Sequence, residues 1–137
     1  MGSELQSRDY GTEIGDYQLV KGWVEAHSGD SVFAETLLPP VGVIVERDGE
    51  PVGACWVYLS TGIGVGFLEW PVTMPGLGLG ESLKIMGFAL GVLESIARGH
   101  DYGALIATTP AVIGKFLEKD FGFVKIGDRV QLLKRLN

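Results

Sequence analysis

Residues 69–84 read E-W-P-V-T-M-P-G-L-G-L-G-E-S-L-K, and the rest of the chain is organised around this stretch. It leads from an apolar segment through a glycine-rich turn into a long region with helical periodicity. A helix that begins directly after such a turn has backbone N–H groups without partners, and these groups attract anions. Gly76, Gly78 and Gly80 lack Cβ atoms, so a phosphate can approach the main chain closely. The pattern predicts an anion-binding turn at the start of a helix.

Length and composition favour one folded domain. The chain has 137 residues, of which 46% are hydrophobic and 20% are charged, as is typical of a globular protein with a single core. We therefore expect residues 1–137 to form a single domain. The net charge of -6 argues against binding to DNA or RNA, because clustered Lys and Arg bind phosphate backbones. It weakly favours a cationic substrate or partner.

Several sequence features indicate a cytoplasmic protein without a membrane span or a metal. The one cysteine, Cys55, lies in an apolar segment, which is typical of a core residue in a reducing compartment. The N-terminus is too polar for a signal peptide. Val52 to Leu68 carries no charge, but a turn at residues 60–62 interrupts it, so we expect no membrane helix. His27 and His100 are predicted to be structural, and no cluster of residues has metal-ligand spacing.

Hydrophobic periodicity predicts a strand, a helix and an antiparallel meander in the first half of the chain. The strand covers Leu5 to Tyr10. The helix covers about residues 16–28, with Asp16 as its N-cap and Gly29 just after its end. A short helical turn is expected between residues 30 and 38. Three strands then follow, at Val41 to Glu46, Val52 to Leu59 and Ile63 to about Val72.

Turn residues and a helical crossover predict how these strands pair. Asp48-Gly49 is typical of a two-residue type I′ hairpin. Gly64 and Gly66 are expected on one face of the third strand, where missing side chains indicate close packing. A helix from Gly80 to Gly99 leads to a strand at Ala104 to Thr109. Such a crossover makes that strand parallel to the strand before the helix.

The long helix is predicted to be buried on most of its surface, because apolar residues recur along it at helical spacing over a wide stripe. Gly87 and Gly91 within it indicate that a neighbouring backbone approaches closely. A shorter helix is predicted over Ala111 to about Lys119, with Thr109-Pro110 as cap and first turn. A closing hairpin is expected about Gly127-Asp128. The inward side chains of the shorter helix are Val112, Ile113, Phe116 and Leu117, and the arms of the hairpin are Val124 to Ile126 and Val130 to Leu136.

This order of elements resembles the GNAT superfamily of acyl-CoA-dependent N-acetyltransferases. Members carry the pattern Gln/Arg-x-x-Gly-x-Gly/Ala before a helix, and Gly78-Leu79-Gly80 is similar to its glycine part. Phe116 to Phe123, F-L-E-K-D-F-G-F, is similar to the aromatic-rich closing motif of the family. The resemblance covers nearly the whole chain. It implies an α+β fold with a mixed central sheet, an antiparallel meander followed by a parallel strand reached through a long helix, and helices on both faces.

The resemblance also implies a cofactor, acetyl-CoA or CoA, and direct transfer of an acetyl group to an amine. In the family, a backbone N–H on the strand before the loop stabilises the oxyanion, which corresponds here to a position near Val72 or Thr73. The residues expected to bind the cofactor are Val72, Thr73, Met74, Gly76, Leu77, Gly78, Leu79, Gly80, Glu81, Ser82, Thr109 and Phe116.

Glu69 is the candidate general base. It is the only carboxylate in the apolar strand ahead of the turn, where burial can raise its pKa into a useful range. The alternative interpretation is that Glu69 lies on an exposed strand face or pairs with a surface cation. The general acid is not assigned, since Leu117 stands where the family often has a tyrosine. Possible substitutes are Ser82, Thr109, Tyr58, Tyr102 and solvent.

Two hypotheses of different classes follow. The first is a cytoplasmic N-acetyltransferase that acts on an unidentified small-molecule or peptide amine. The second is a catalytically inactive GNAT-like binding or assembly protein, similar to short GNAT-like chains of tailed phages. Gly78-Leu79-Gly80 favours the first, whereas Leu117 and Pro75, which stands at the Gln/Arg position of the family pattern, favour the second. The broad apolar helix and the exposed sheet edges predict a homodimer, with neither nucleic acid nor membrane as a partner.

Overall fold

The structure, a computed structural model, describes residues 4–29, 33–128, 132, 134 and 136. These residues fall into two compact units, one up to Ile106 and one from Ala107 onward. The first unit contains most of the sheet and its two covering helices, and the second contains one shorter helix within its described part. That the whole chain is one domain stays a prediction.

The elements follow the predicted order as far as the second unit. They are β1 (Leu5–Asp9), α1 (Asp16–Ser28), a 3-10 turn (Glu35–Leu37), β2 (Val41–Arg47), β3 (Glu50–Leu59), β4 (Val65–Thr73), α2 (Leu79–Gly99), β5 (Ala104–Ala107) and α3 (Ala111–Phe121). The strands form one sheet in the order β1-β2-β3-β4-β5. Neighbours from β1 to β4 are antiparallel, and β5 joins β4 in parallel. The predicted mixed sheet is confirmed.

The central strand β3 contributes side chains to two hydrophobic clusters. Ala54 and Trp56 belong to one cluster, together with residues of α1, whereas Cys55 and Val57 belong to the other, together with residues of α2. Successive side chains of a strand point to opposite faces. Consequently α1 and α2 cover opposite faces of the sheet, as predicted. The helix residues in the two clusters are Val20 and Trp23 of α1, and Ile85, Ala89 and Leu93 of α2.

The predicted bounds of α1 are confirmed, but its N-cap is Gly15 and not Asp16. The Asp16 side chain is buried and accepts two hydrogen bonds from the Arg8 guanidinium, both at 2.8 Å. It also accepts one from the Gly11 N–H at 2.8 Å. Asp16 therefore joins β1 to α1 instead of capping the helix. Gly29 ends α1 with a φ of +73°, as its position predicts.

Of two predictions about glycines in the meander, the first is confirmed and the second is confirmed only in part. Asp48 and Gly49 have φ values of +52° and +82°, as the predicted type I′ turn requires. Gly64, with a φ of +65°, precedes β4, so it does not share a strand face with Gly66. Close packing at Gly66 is confirmed, because a Cβ there would lie 2.9 Å from Leu105.

The helix α2 is less enclosed than predicted. Leu79 is 55% exposed, and the buried residues of the helix lie along one stripe. A Cβ on Gly91 would meet no atom within 4 Å, so the close approach predicted there is wrong. Close contact occurs instead at Gly53 of β3, where a Cβ would lie 2.5 Å from Ile85. No helix in the described part of the chain is both long and apolar enough to cross a membrane.

The second unit contains α3. Its N-cap is Pro110, and no side chain, including that of Thr109, caps the helix. Leu117 is buried as predicted, but Val112 is 52% exposed and does not face inward. Residues 124–126 do not form a strand, so this arm of the predicted closing hairpin is wrong. The other arm, Val130 to Leu136, lies largely outside the described residues.

Replacing the buried Asp16 should test how strongly β1 and α1 are joined. Asp16→Asn leaves the Arg8 guanidinium without its main partner, so we expect the free energy of unfolding at pH 7 to fall by about 3 kcal/mol. The Arg8 hydrogen bonds hold the pKa of Asp16 below its ordinary value. The stabilisation is therefore present above the unfolded-state pKa and is lost as pH falls through the folded-state pKa.

Denaturant unfolding measured from pH 7 to pH 3 checks this expectation. The difference between wild type and Asp16→Asn should shrink at the acidic end, where the wild-type carboxyl also becomes protonated. Glu94→Gln is the matched control, because its partner Arg98 is exposed at the surface. This control should change the free energy of unfolding by less than about 0.5 kcal/mol. If Asp16→Asn and Glu94→Gln lowered the free energy of unfolding equally, Asp16 would not join β1 to α1 as described.

Candidate functional site

The predicted anion-binding turn lies between β4 and α2. Pro75 and Gly76 form the turn, and Gly76 has a φ of +91°, which suits glycine at this position. Gly78 is the N-cap of α2, without a side-chain cap. The Ser82 N–H donates to the Gly78 carbonyl at 3.0 Å. Within the described residues, the N–H groups of positions 79–81 have no hydrogen-bond partner.

One side of this turn is open and the other is packed. Gly76, Gly78 and Gly80 are exposed, and a Cβ on any of them would meet no atom within 4 Å. On the other side, Met74 and Leu77 pack against the hydrophobic clusters of the sheet. The turn is thus held in place from below while its free amides lie on the side that has room for a ligand.

Three hydrogen bonds fix the end of β4 beneath this turn. The Met74 N–H donates to the Val52 carbonyl at 2.9 Å, and the hydroxyls of Thr73 and Ser82 lie 3.3 Å apart. The Nε2 atom of His27 lies 2.7 Å from the Thr73 carbonyl, and it must donate because a carbonyl only accepts. The ends of α1 and β4 and the start of α2 are therefore joined. His27 has the structural role that the sequence predicts.

Glu81, in the first turn of α2, forms an ion pair with Arg47 at the end of β2. The pair matches the negative charge of Glu81 with a positive charge next to the helix N-terminus. Arg47 is not among the site residues that the sequence pattern predicts. Its one indication in the sequence is its position directly before the Asp48-Gly49 turn, at a strand end.

A β-bulge interrupts β4, and sequence analysis did not predict it. Trp70 and Pro71 together face Cys55 of β3, where a regular ladder has one residue. Trp70 has a φ of +53°, which is rare for a bulky side chain. Pro71 could have indicated the bulge, because proline within a sheet is confined to edges and bulges. β5 begins beside the start of β4, where the Gly103 N–H donates to the Gly64 carbonyl at 2.9 Å.

Glu69 lies immediately before this bulge and is half-buried. Its register partner is Trp56, so both side chains lie on the face of the sheet that α1 covers. Burial raises the pKa of Glu69 above its ordinary value. Within the described residues its carboxylate has no hydrogen bond or ion pair. Glu69 is thus neither fully exposed nor paired with a cation among the described residues, and its role as a base stays a prediction.

Cys55, opposite the bulge, has the properties of a core residue. It is buried, and its Sγ lies 3.7 Å from the Trp56 carbonyl and 3.6 Å from the Glu69 carbonyl. Burial raises the pKa of the thiol to about 12. The thiol is consequently protonated at neutral pH and is not an activated nucleophile.

Two of the predicted cofactor-binding residues belong to the second unit. Thr109 precedes α3, and Phe116 packs edge to face on Phe121 with ring centroids 5.4 Å apart. Their contact with a cofactor stays a prediction. Of the substitutes for the missing acid, Tyr102 donates its hydroxyl to the Ser60 carbonyl, whereas Tyr58 is 46% exposed. No group of three His, Cys, Asp or Glu in the described part of the chain could hold a metal ion.

No protein-family model and no curated protein matches this sequence. Solved structures do match. An acetyltransferase from Trypanosoma brucei is similar with a TM-score of 0.70 and 17% identity, over 96% of this chain and 100% of that one. An aminoglycoside N-acetyltransferase in complex with CoA is similar with a TM-score of 0.65 and 14% identity, over 99% of this chain and 98% of that one.

A third match is the N-acetylglutamate synthase of Neisseria gonorrhoeae, complexed with coenzyme A and N-acetyl-glutamate. Its TM-score is 0.59 at 17% identity, and the match covers 87% of this chain but 28% of that protein. The chain therefore has a GNAT-like fold, as the sequence resemblance predicted. At such low identity the similarity establishes the fold and not the reaction.

The sole cysteine provides a test of the packing opposite the bulge. Iodoacetamide should label Cys55 at least about 10³-fold more slowly in the native protein than in the guanidinium-unfolded protein, because the thiol is buried and its pKa is raised. Mass spectrometry after timed labelling at pH 8 measures both rates. Native labelling as fast as that of the unfolded chain would mean that β3 and β4 are not packed as described.

Proposed function

We propose that this protein is an N-acetyltransferase that binds acetyl-CoA at the start of α2 and acetylates an amine beside Glu69. The observation that carries the proposal is the set of unpartnered N–H groups at positions 79–81 on the open side of the glycine turn. Two solved structures with this fold, the aminoglycoside N-acetyltransferase and N-acetylglutamate synthase, contain CoA.

The residues of the turn fit a pyrophosphate. Three main-chain donors and the positive end of the α2 dipole attract an anion. Gly78 and Gly80 leave the space that a phosphate needs, since a Cβ on either would meet no atom within 4 Å. The proposed contacts in the first unit are Val72, Thr73, Met74, Gly76, Leu77, Gly78, Leu79, Gly80, Glu81 and Ser82. Those in the second unit are Thr109 and Phe116.

Arg47 contributes the side-chain cation that the turn itself lacks. Pro75 occupies the position where the family pattern has Gln or Arg, so the turn offers no charged side chain of that kind. The Arg47 guanidinium instead forms an ion pair with Glu81, next to the N-terminus of α2. Because Glu81 is paired, its charge does not oppose a phosphate there, and the guanidinium can share its five N–H donors between the two anions.

Glu69 is the proposed base, and the bulge beside it is the proposed position of the oxyanion donor. Glu69 accepts one proton from the ammonium form of the acceptor and passes it to solvent. Its raised pKa makes it a stronger base than an exposed glutamate. Acetyl-CoA, when bound, would supply the acetyl group, which would form a carbon–nitrogen bond as the carbon–sulfur bond breaks. A second proton, lost from the nitrogen as the amide forms, would reach the thiolate through solvent, so that CoA leaves as its thiol. The bulge takes Trp70 and Pro71 out of the regular pairing with β3, directly before Val72 and Thr73, where the oxyanion donor is proposed.

An inactive GNAT-like binding or assembly protein is the second candidate. Leu117 favours it, because this residue provides no hydroxyl for protonating the leaving thiolate. Under this alternative the cofactor would bind without turnover, or would not bind. The cytoplasmic location, the homodimer and the absence of nucleic-acid partners stay predictions.

Substitution of Gly78 should separate folding from cofactor binding. A Cβ at this position meets open space in the free protein, and the φ of -71° suits alanine, so Gly78→Ala should fold. The new methyl group would occupy the space proposed for phosphate. We therefore expect the Kd for acetyl-CoA, measured by calorimetry, to rise at least about tenfold, or roughly 1.4 kcal/mol.

Gly91→Ala is the matched control for this experiment. Gly91 lies in the helix that begins after Gly78 and also faces open space, but three turns away from its start. This substitution should leave the Kd unchanged. If the wild-type protein does not bind acetyl-CoA at millimolar concentration, the enzyme proposal fails. Equal affinity of the two variants would place the cofactor elsewhere.

Removal of the Glu69 carboxylate should affect turnover more than cofactor binding. We expect Glu69→Gln to lower kcat by about 10²-fold or more, because the base is lost while the side-chain volume is kept. In the wild type, activity should fall as pH decreases through the raised pKa of Glu69, where the base becomes protonated. Steady-state assays with acetyl-CoA at several pH values measure both effects. An unchanged rate in Glu69→Gln, judged against the surface variant Glu94→Gln, would remove Glu69 from the mechanism.

A further inference from the structure

An aromatic pair lies next to Glu69 on the same face of the sheet. Phe67 precedes Glu69 by two residues in β4, so their side chains share a face about 7 Å apart along the strand. The register partner of Phe67 is Tyr58 of β3. Their rings stack with centroids 6.4 Å apart and planes inclined by 29°. The pair and the carboxylate therefore occupy neighbouring rungs of one ladder.

This part of the face is accessible. Tyr58 is 46% exposed, and Phe67 and Glu69 are half-buried. Trp56 is the register partner of Glu69, but its indole ring extends away from β4 and lies over Gly42 in β2. The ring therefore does not cover the Glu69 carboxylate. A Cβ on Gly42 would stand only 2.2 Å from the Trp56 ring. At this pair of residues, the surface over β4 is therefore formed by Glu69 and not by the Trp56 ring.

Glu69 gives this face a negative charge, and no cation in the described part of the chain pairs with it. The sequence contains no Lys, Arg or His between Arg47 and Lys84, so β3 and β4 supply no cation to Glu69. Arg47 itself is engaged by Glu81 at the other end of β3. A half-buried carboxylate that pairs with no cation among the described residues is complementary to a cationic ligand.

We propose that Tyr58, Phe67 and Glu69 form the acceptor subsite, and that the acceptor is a primary amine carried on a short aromatic side chain, an arylalkylamine. This inference rests on the proposed function and specifies its substrate class. The ammonium group binds the Glu69 carboxylate, and the ring of the acceptor packs on the Tyr58–Phe67 pair one rung away. A short carbon linker between ring and nitrogen matches the spacing of the two rungs.

A polar amine fits this face less well. Ethanolamine or a polyamine can pair with Glu69 but leaves the aromatic pair in contact with water. Burying an aromatic ring against this pair adds favourable apolar contact and stacking. The face therefore distinguishes amines by the group that carries the nitrogen.

Direct binding without acetyl-CoA tests the subsite separately from catalysis. The probes are 2-phenylethylamine, ethanolamine and the uncharged analogue 2-phenylethanol, each titrated into the full chain by calorimetry or protein-observed NMR. We expect 2-phenylethylamine to bind at least about tenfold more tightly than either other probe, since each lacks one of the two interactions. Tyr58→Ala and the more conservative Phe67→Leu should weaken this binding by about five- to tenfold.

Two further variants identify the source of any effect. Glu69→Gln should abolish the preference for 2-phenylethylamine over 2-phenylethanol. Ile63→Ala, which removes an exposed apolar side chain from the turn before β4, should change nothing. If Phe67→Leu is destabilised, Tyr58→Ala still tests the pair, because Tyr58 is 46% exposed and its loss disturbs the core less.

The outcomes separate the two proposals. Equal affinity for 2-phenylethylamine and ethanolamine, or equal binding by Tyr58→Ala and wild type, overturns the arylalkylamine class, even if acetyl-CoA binds. Selective amine binding with no binding of acetyl-CoA supports the subsite and overturns the acetyltransferase proposal. Selective amine binding with acetyl-CoA binding and turnover supports both.

Discussion

The proposed site depends on the junction at which β4 ends and α2 begins. A helix must start with unsatisfied N–H groups, and in the described part of the chain neither a side chain nor a loop provides partners for those of α2. The junction stays in place because Met74 and Leu77 are packed in the core and because Thr73 contacts both Ser82 and His27. Rigid support beneath free donors is the arrangement that anion binding needs, since the donors then lose little freedom when the ligand arrives.

Charged side chains of the first unit have different surroundings at the start of α2 and at the bulge of β4. At the helix start, Arg47 matches Glu81, so an incoming phosphate meets donors and no unpaired negative charge. At the bulge, Glu69 has no cationic partner among the residues that the structure describes, and it lies beside aromatic side chains, so its charged form is costly. A neutral environment for the anion and an unmatched carboxylate for the amine are what a transfer between an anionic donor and a cationic acceptor requires.

The sequence predicted the elements well where local physics decides. The type I′ turn at Asp48-Gly49 needs residues that tolerate positive φ, and β5 is parallel because α2 carries the chain back to the end of the sheet where β4 begins. Predictions failed where packing decides. Asp16 was expected to cap α1 but binds Arg8 instead, and Gly91 was expected to touch a backbone but faces open space. Neither outcome is visible in spacing, because each depends on which surface of a helix meets the sheet.

The sequence by itself determined the glycine turn, the helix that follows it and the candidate base Glu69, since these depend on residue types within one continuous stretch. Only the tertiary structure decided that Arg47 pairs with Glu81, that β4 bulges at Trp70 and that Glu69 and Phe67 form one face with Tyr58. These features join strands that are distant in sequence. Their register is set by pairing across the sheet, where a shift of one residue would turn every side chain to the opposite face.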